Sequence, residues 1–505
     1  MDALTRVNPT PEWPPATIIA LLVTALAYII TIAHRPPSRS RNDRTPKPLA
    51  TGYCPSLLST WRFFNDRHGF YNEGVAASST GNFSHAVGPH RLIGLSRAAG
   101  REAFFHRREM EMVEGFTIFF PTVDPSQIEP STGWHEYQIN GHIVRTMRTE
   151  NLRRCLPSML AFAADAVTAH NGTSSSLVDP FDVADRLVFQ FTMSAAGFDD
   201  ERAASASLAG LGPALLRKIE GSTGSGSVLV PWLRTPGYRR RVAAIRELAG
   251  YLGDAVRESE RGVDGVLRVL MEKGLSMGEV VTYLMATLFA AQINTPLMAA
   301  WLLVYLSRNE HWMAQVRAEL DAALTRYRPS PQETPLHILQ HVPLETWESD
   351  FPMLDLCLRE CIRMHLTATT YRRNCSDRDI PIGDTGEVVP GGAYAFYILE
   401  EAHANPAVYP DPETWDPARF SPGRAEDKGT PLAYLGWGAG RHACLGMRLA
   451  KLEVAVVVAS IVATFDLTLC NQLGRPLNCA PKANRYSKSA HPPAEEVRLR
   501  CCTRN

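Results

Sequence analysis

The stretch Tyr434-Leu435-Gly436-Trp437-Gly438-Ala439-Gly440-Arg441-His442-Ala443-Cys444-Leu445-Gly446 decides how this chain is read. One cysteine sits in a glycine-rich loop, and the apolar run Met447 to Val458 after it reads as a helix. A cysteine just before a helix start meets free backbone N–H groups and the positive end of the helix dipole, both of which favour a thiolate. Glycines let the backbone approach a flat ligand closely and turn N–H groups toward the sulfur. On these residues alone two readings stand: a structural cysteine in a turn, or a reactive or metal-bound thiolate.

Upstream, Glu360-Cys361-Ile362-Arg363 places an acid and an arginine three apart on one helical face, spaced to pair with each other. Asp416-Pro417-Ala418-Arg419-Phe420, after Tyr409-Pro410-Asp411-Pro412, offers a second arginine. Further back, the segment Gly278 to about Ser307 predicts the longest helix, and Val280 to Ser307 carries no charge. Length alone would allow it to span a bilayer. Gln292, Asn294 and Thr295 with Pro296 interrupt it at mid-length, which fits a core helix that kinks past a cofactor.

Taken together, these elements resemble the cytochrome P-450 family. Trp437-x-x-Gly440-x-His442-x-Cys444-x-Gly446 is similar to its haem-binding loop, with Trp for the usual Phe and His for the usual Arg. Glu360 to Arg363 resembles its ExxR, Asp416 to Phe420 its later arginine segment, and Ala291-Gln292-Ile293-Asn294-Thr295 its oxygen-activating helix. The resemblance covers essentially the whole chain. It implies a mostly α (α+β) fold, a large helical domain with a small β-rich region.

The resemblance also assigns roles. It makes Cys444 the axial thiolate of haem b and Trp437 part of the haem loop. It implies that Glu360, Arg363 and Arg419 form a buried structural triad. Haem propionates would be met by His442 and Arg373, with Arg145 and Arg148 as candidates from an earlier helix. Thr295 would handle a proton together with water, and Asn294, standing where an acid is usual, would orient them. The variants around Trp437 and Asn294 resemble filamentous-fungal members that oxidise secondary metabolites. The implied activity inserts one atom of O2 into a lipophilic small molecule, with electrons from an NADPH–cytochrome P-450 reductase. Asn294 keeps open a haem-thiolate isomerase or dehydratase that needs neither O2 nor reductase, and a non-catalytic haem-binding protein is the further alternative.

The amino terminus predicts the compartment. Residues 13–33 are uncharged and rise roughly 30 Å as a helix, enough to cross a bilayer core. Arg35, Arg39, Arg41, Arg44 and Lys47 follow it, which predicts a single-pass anchor with the body on the cytosolic side of the endoplasmic reticulum membrane. The expected organisation is a short lumenal segment 1–12, an anchor 13–33, a basic, Pro-rich linker 34–50 and a catalytic body 51–505. The Gly/Ser run Gly221 to Ser227 reads as a loop, and the apolar patch from Val228 to Leu233 reads equally as a segment that dips into a membrane interface or as an ordinary buried connection.

Of the 505 residues, 52 are Lys or Arg and 52 are Asp or Glu. That balance, with no basic block, argues against a nucleic-acid partner. The ten cysteines form no CxxC pair, which predicts neither a zinc ribbon nor a disulfide scaffold.

Overall fold

The computed structural model describes residues 44–49, 55–87, 90–119, 136–170, 176–222, 224–229, 234–259, 264–485 and 490–504. The anchor expected at 13–33 lies outside these residues, as do the segment before it and most of the linker.

A helix from Met277 to Leu306 runs through the middle of the molecule. Ser276 caps its start: its side chain accepts the Glu279 N–H, and the Glu279 carboxylate accepts the Ser276 N–H at 2.7 Å. This reciprocal arrangement satisfies two donors that would otherwise have no partner. Two-thirds of its most apolar window is buried in protein, so a segment long enough to span a membrane serves here as core. Pro296 lies inside the helix and does not end it.

Helices Pro180–Ala196, Pro236–Glu258, Pro352–His365 and Met447–Thr464 pack around this central helix. Their apolar faces form the largest buried cluster, which contains Trp301, Leu302, Val456 and Val457 at full burial. The run predicted as helical to Val458 continues to Thr464, because its side chains stay apolar on every face.

A five-stranded sheet stands beside the helical body. Its strands lie in the order Phe83–Val87, His90–Gly94, Tyr394–Ile398, Thr369–Asn374, Met110–Glu111. His90–Gly94 and Tyr394–Ile398 pair in parallel, and the other neighbours are antiparallel. Three of these strands, Phe83–Val87, His90–Gly94 and Met110–Glu111, come from the first quarter of the chain. Phe83-Ser84-His85-Ala86-Val87 is buried throughout, with Ser84 Oγ donating to the Pro46 carbonyl at 2.8 Å. A strand covered on both faces shows no alternation to read.

The Gly/Ser run is also more ordered than expected. Helix Ala206–Gly221 ends within it, and Ser225–Leu229 forms a short helix of its own. Val228 is buried in a cluster with Phe63 and Phe70, while Val230 to Leu233 lie outside the described residues.

Candidate active site

The loop before Cys444 is closed by main-chain hydrogen bonds. The Cys444 N–H donates to the Trp437 carbonyl at 2.7 Å, and the Gly438 N–H to the Leu435 carbonyl at 2.9 Å. Gly438 and Gly440 have φ of +69° and +61°. A Cβ on Gly438 would lie 2.5 Å from the His442 carbonyl oxygen, and one on Gly440 2.3 Å from that of Phe105. Both positions therefore require glycine.

Helix Met447–Thr464 begins directly after this loop, and the N–H groups of Gly446 and Met447 reach the cysteine sulfur. Burial pushes the Cys444 thiol up, and those two donors offset part of that rise. The side chain is nonetheless accessible, and Leu445 and Met447 beside it are 39% and 41% exposed. The thiol is thus open on one side, beside uncovered apolar groups.

The central helix packs against the cysteine helix. Tyr283, Thr287, Ala290 and Asn294 follow one another at spacings of four, three and four, hence on one face. Tyr283 packs edge-on against His142 of helix Glu136–Thr146, with centroids 6.1 Å apart. Arg448 Nη1 donates to the Met147 carbonyl at 2.9 Å, tying the end of that helix to the start of the cysteine helix. Farther along, this face opens: Ala290 is exposed in mid-helix. Asn294 Oδ1 is buried and has no hydrogen-bond partner among the described residues. Thr295, the next residue, is 7% exposed. An accessible thiol at a helix start and a partly open face on the central helix suit a flat ligand such as haem.

The expected propionate partners have varied surroundings. The ring of His442 is nearly buried, and its Nε2–H donates to the Met110 carbonyl at 3.2 Å. Burial pushes its pKa down, and Arg372 nearby adds to this. Arg373 is 38% exposed and reaches Glu114 at 3.1 Å. Arg145 is half-buried and Arg148 exposed, and neither has an ion-pair partner among the described residues. The sequence reading passed over Arg372, which is 2% exposed with its guanidinium 5.0 Å over the Phe104 ring. Strand alternation was the available signal, since neighbouring arginines on one strand point to opposite faces.

Glu360, Arg363 and Arg419 come together in the core, all at most 2% exposed. Arg363 holds Glu360 with two bonds of 2.7 Å, and Arg419 Nε reaches the same carboxylate at 3.2 Å. The remaining donors are satisfied as well. Arg363 gives to the His403 and Pro412 carbonyls, both at 2.8 Å, and Arg419 to the Asp411 carbonyl at 2.9 Å. This completeness is what makes buried charge tolerable.

His403, which the sequence did not mark, links this cluster to the loop. Its Nε2 accepts the Leu435 N–H at 2.9 Å, so that nitrogen carries no proton. Burial, with the Arg363 charge second, pushes the ring's pKa down to about 3.

A family model for cytochrome P450 matches residues 232–485. Cytochrome P450 monooxygenase AacuE of Aspergillus aculeatus is 30% identical over 472 residues, covering 91% of this chain and 92% of the relative. Cytochrome P450 monooxygenase nsrP of Aspergillus novofumigatus is 29% identical, covering 91% and 90%. Among solved structures, retinoic acid bound cyanobacterial CYP120A1 superposes with a TM-score of 0.72 at 18% identity, over 92% of this chain and 100% of that chain. At that identity the likeness speaks to the fold.

Proposed function

This chain belongs to the cytochrome P450 family, and we propose that it oxygenates a lipophilic small molecule in a fungal secondary-metabolite pathway, with Cys444 as the axial ligand of its haem b. Family membership makes it an oxidoreductase, a haem-thiolate monooxygenase that uses O2, a small-molecule substrate and a redox partner. When bound, the haem supplies the redox chemistry that activates dioxygen.

The chain's own groups do the rest. The N–H groups of Gly446 and Met447 favour the thiolate form of Cys444. Asn294, with its unmet acceptor, orients water, and the Thr295 hydroxyl passes a proton on from it. Arg373, Arg145 and Arg148 are the groups for the propionates, with Arg373 exchanging Glu114 for one of them and His442 joining only when its ring carries a proton on Nδ1 as well. Trp437 holds the Cys444 amide through its carbonyl. The single observation that carries this reading is an accessible Cys444 at a helix start, at the end of a loop built on positive-φ glycines.

The redox partner is taken to be an NADPH–cytochrome P450 reductase, and the site of action the cytosolic face of the endoplasmic reticulum membrane. Leu58 and Trp61 support a membrane-facing side: they are 43% and 56% exposed on helix Pro55–Asn65, next to Ser225–Leu229. Apolar and aromatic groups clustered at a surface suit the interface of a bilayer.

The test is the carbon monoxide difference spectrum of the reduced protein, wild type beside Cys444→Ser. A strongly red-shifted Soret band in wild type, lost in the variant, supports the assignment. A band retained in Cys444→Ser would overturn the ligand, and a folded wild type unable to take up haem would overturn the function. Incorporation of 18O from 18O2 into product, with NADPH and reductase supplied, then tests the oxygenation.

A further inference from the structure

Beyond Thr295 the central helix carries Trp301 and Tyr305, one turn apart on one face. Trp301 lies roughly 9 Å of helix rise past Thr295 and is fully buried. Its ring stacks on Tyr305, with centroids 5.8 Å apart and 28° between the planes. Tyr305 stacks in turn on Trp415, at 5.0 Å and 3°. Tyr305 and Trp415 are partly exposed, so a column of rings runs from the core of the central helix to the surface.

His365, the last residue of helix Pro352–His365, is built into this column. It lies face to face with Trp301 at 3.8 Å and 5°, and its Nε2 is 3.0 Å from the Tyr305 hydroxyl. Apolar packing needs neither that hydroxyl nor that nitrogen; together they form a phenol with a proton acceptor at hydrogen-bond distance. Burial, with the His491 and Arg363 charges, holds the ring's pKa well below its ordinary value, so it is neutral and has one nitrogen free to accept. A phenol that has lost an electron is a far stronger acid than the phenol itself, so even this imidazole can take its proton.

We propose that Trp301, Tyr305 and Trp415 form a relay that carries single electrons from the surface toward the haem site when a peroxide, and no substrate, is present there. The proposal rests on the haem reading of Cys444. Tyr305 gives one electron inward through Trp301, and its phenolic proton crosses to His365 Nε2. An electron arriving through Trp415 restores the tyrosine, and the proton returns to its oxygen. The peroxide O–O bond breaks as it takes two electrons and two protons, which for a peracid leaves the carboxylic acid and water. Two molecules of a reductant such as ascorbate, each giving one electron and one proton, close the balance. The relay thus drains oxidising equivalents that would otherwise damage the haem and the loop around Cys444.

The experiment mixes the haem-loaded enzyme, without substrate, with peracetic acid, freezes it within milliseconds and records its electron paramagnetic resonance. Wild type is expected to give a tyrosyl signal that narrows with ring-deuterated tyrosine and couples to 15N when the histidines are labelled. Tyr305→Phe keeps the ring and should lose this signal, and its haem absorbance should bleach faster under peroxide. Trp415→Phe, whose ring is much harder to oxidise, should keep the signal but slow its removal by ascorbate. No tyrosyl signal in a wild type that shows the thiolate band, a signal without the 15N coupling, or one that survives Tyr305→Phe would each overturn the relay. So would bleaching unchanged in Tyr305→Phe or removal unchanged in Trp415→Phe. Should Tyr305→Phe not fold, the 15N coupling in wild type still decides. A folded wild type without haem overturns the monooxygenase reading as well, so the carbon monoxide spectrum tells the two failures apart.

Discussion

The backbone N–H of Leu435 donates to Nε2 of His403 at 2.9 Å, while the carbonyl of His403 accepts from Arg363 at 2.8 Å. One buried residue thus joins the Glu360–Arg363–Arg419 cluster to the loop that ends in Cys444.

His403→Phe keeps a ring against Tyr434, whose centroid lies 5.5 Å away, and removes the acceptor. The Leu435 N–H is then stranded, a loss of about 1–3 kcal/mol. Urea unfolding should show that loss, and haem occupancy, read from the thiolate band, should fall with it. Full occupancy in a destabilised variant would mean that the loop holds its shape without this bond.

Glu360→Gln removes the charge that both arginines share. It leaves the buried Arg363 guanidinium without a counter-charge, while Arg419 keeps Glu426 at 3.1 Å, and should destabilise the fold by about 3–5 kcal/mol. Circular dichroism and haem content should decline together. A variant as stable as wild type would show that the remaining carbonyl partners suffice.

Acid should destabilise the protein through buried imidazoles. Burial pushes His85 and His403 down to about 3 and His491 to about 4. In the unfolded chain each binds a proton near pH 6.5. Their contribution is therefore complete above pH 6.5 and is lost as pH falls toward 4, at roughly 1.4 kcal/mol per pH unit for each ring. Melting temperatures between pH 7 and 4.5 should show a steep decline. His85→Phe, which suits the surrounding rings of Phe63, Phe70 and Phe396, should reduce the slope by about one proton. An unchanged slope would show that His85 is not among the groups responsible.

Glu453 predicts the opposite trend. It is 1% exposed, and Thr192 Oγ1 donates to it at 3.0 Å. Burial raises its pKa to about 8. In the unfolded chain it ionises near 4.5, so stability is lost as pH rises from 4.5 to 8. Glu453→Gln keeps an acceptor for Thr192 and does not titrate. It should be more stable than wild type at pH 7, by about 3 kcal/mol, with little difference at pH 4.5. Calorimetric melts at both values check this, and a variant less stable at pH 7 would mean that Glu453 is charged and paired when folded.

Legibility from sequence followed locality. The central helix announced itself through an unbroken uncharged run, and Glu360 with Arg363 through a spacing that means one helical face. The loop before Cys444 was legible because its glycines, its cysteine and the following helix are contiguous. Strand Phe83–Val87 was missed because Ser84 and His85 interrupt its apolar character, and only the tertiary structure buries them. His403 carries no motif, since its role depends on meeting Leu435 across a fold. Gln292 read as part of an oxygen-handling segment, yet its amide is committed to Asp185, 107 residues earlier. A partner at that distance leaves no periodic trace.

The parallel pairing of His90–Gly94 with Tyr394–Ile398 also governs how the molecule comes into being. Leu92 aligns with Tyr394, so a strand made early waits about 300 residues for its neighbour. At 5–20 residues per second that is roughly 15–60 s of synthesis. Throughout that time the ribbon Phe83–Gly94 presents an open edge beside the aromatic rings that will later cover Phe396. Production of this protein is thus timed by its own topology: until the ribosome has passed Ile398, the nascent chain is a substrate for chaperones, and expression yield should respond to them before it responds to haem supply.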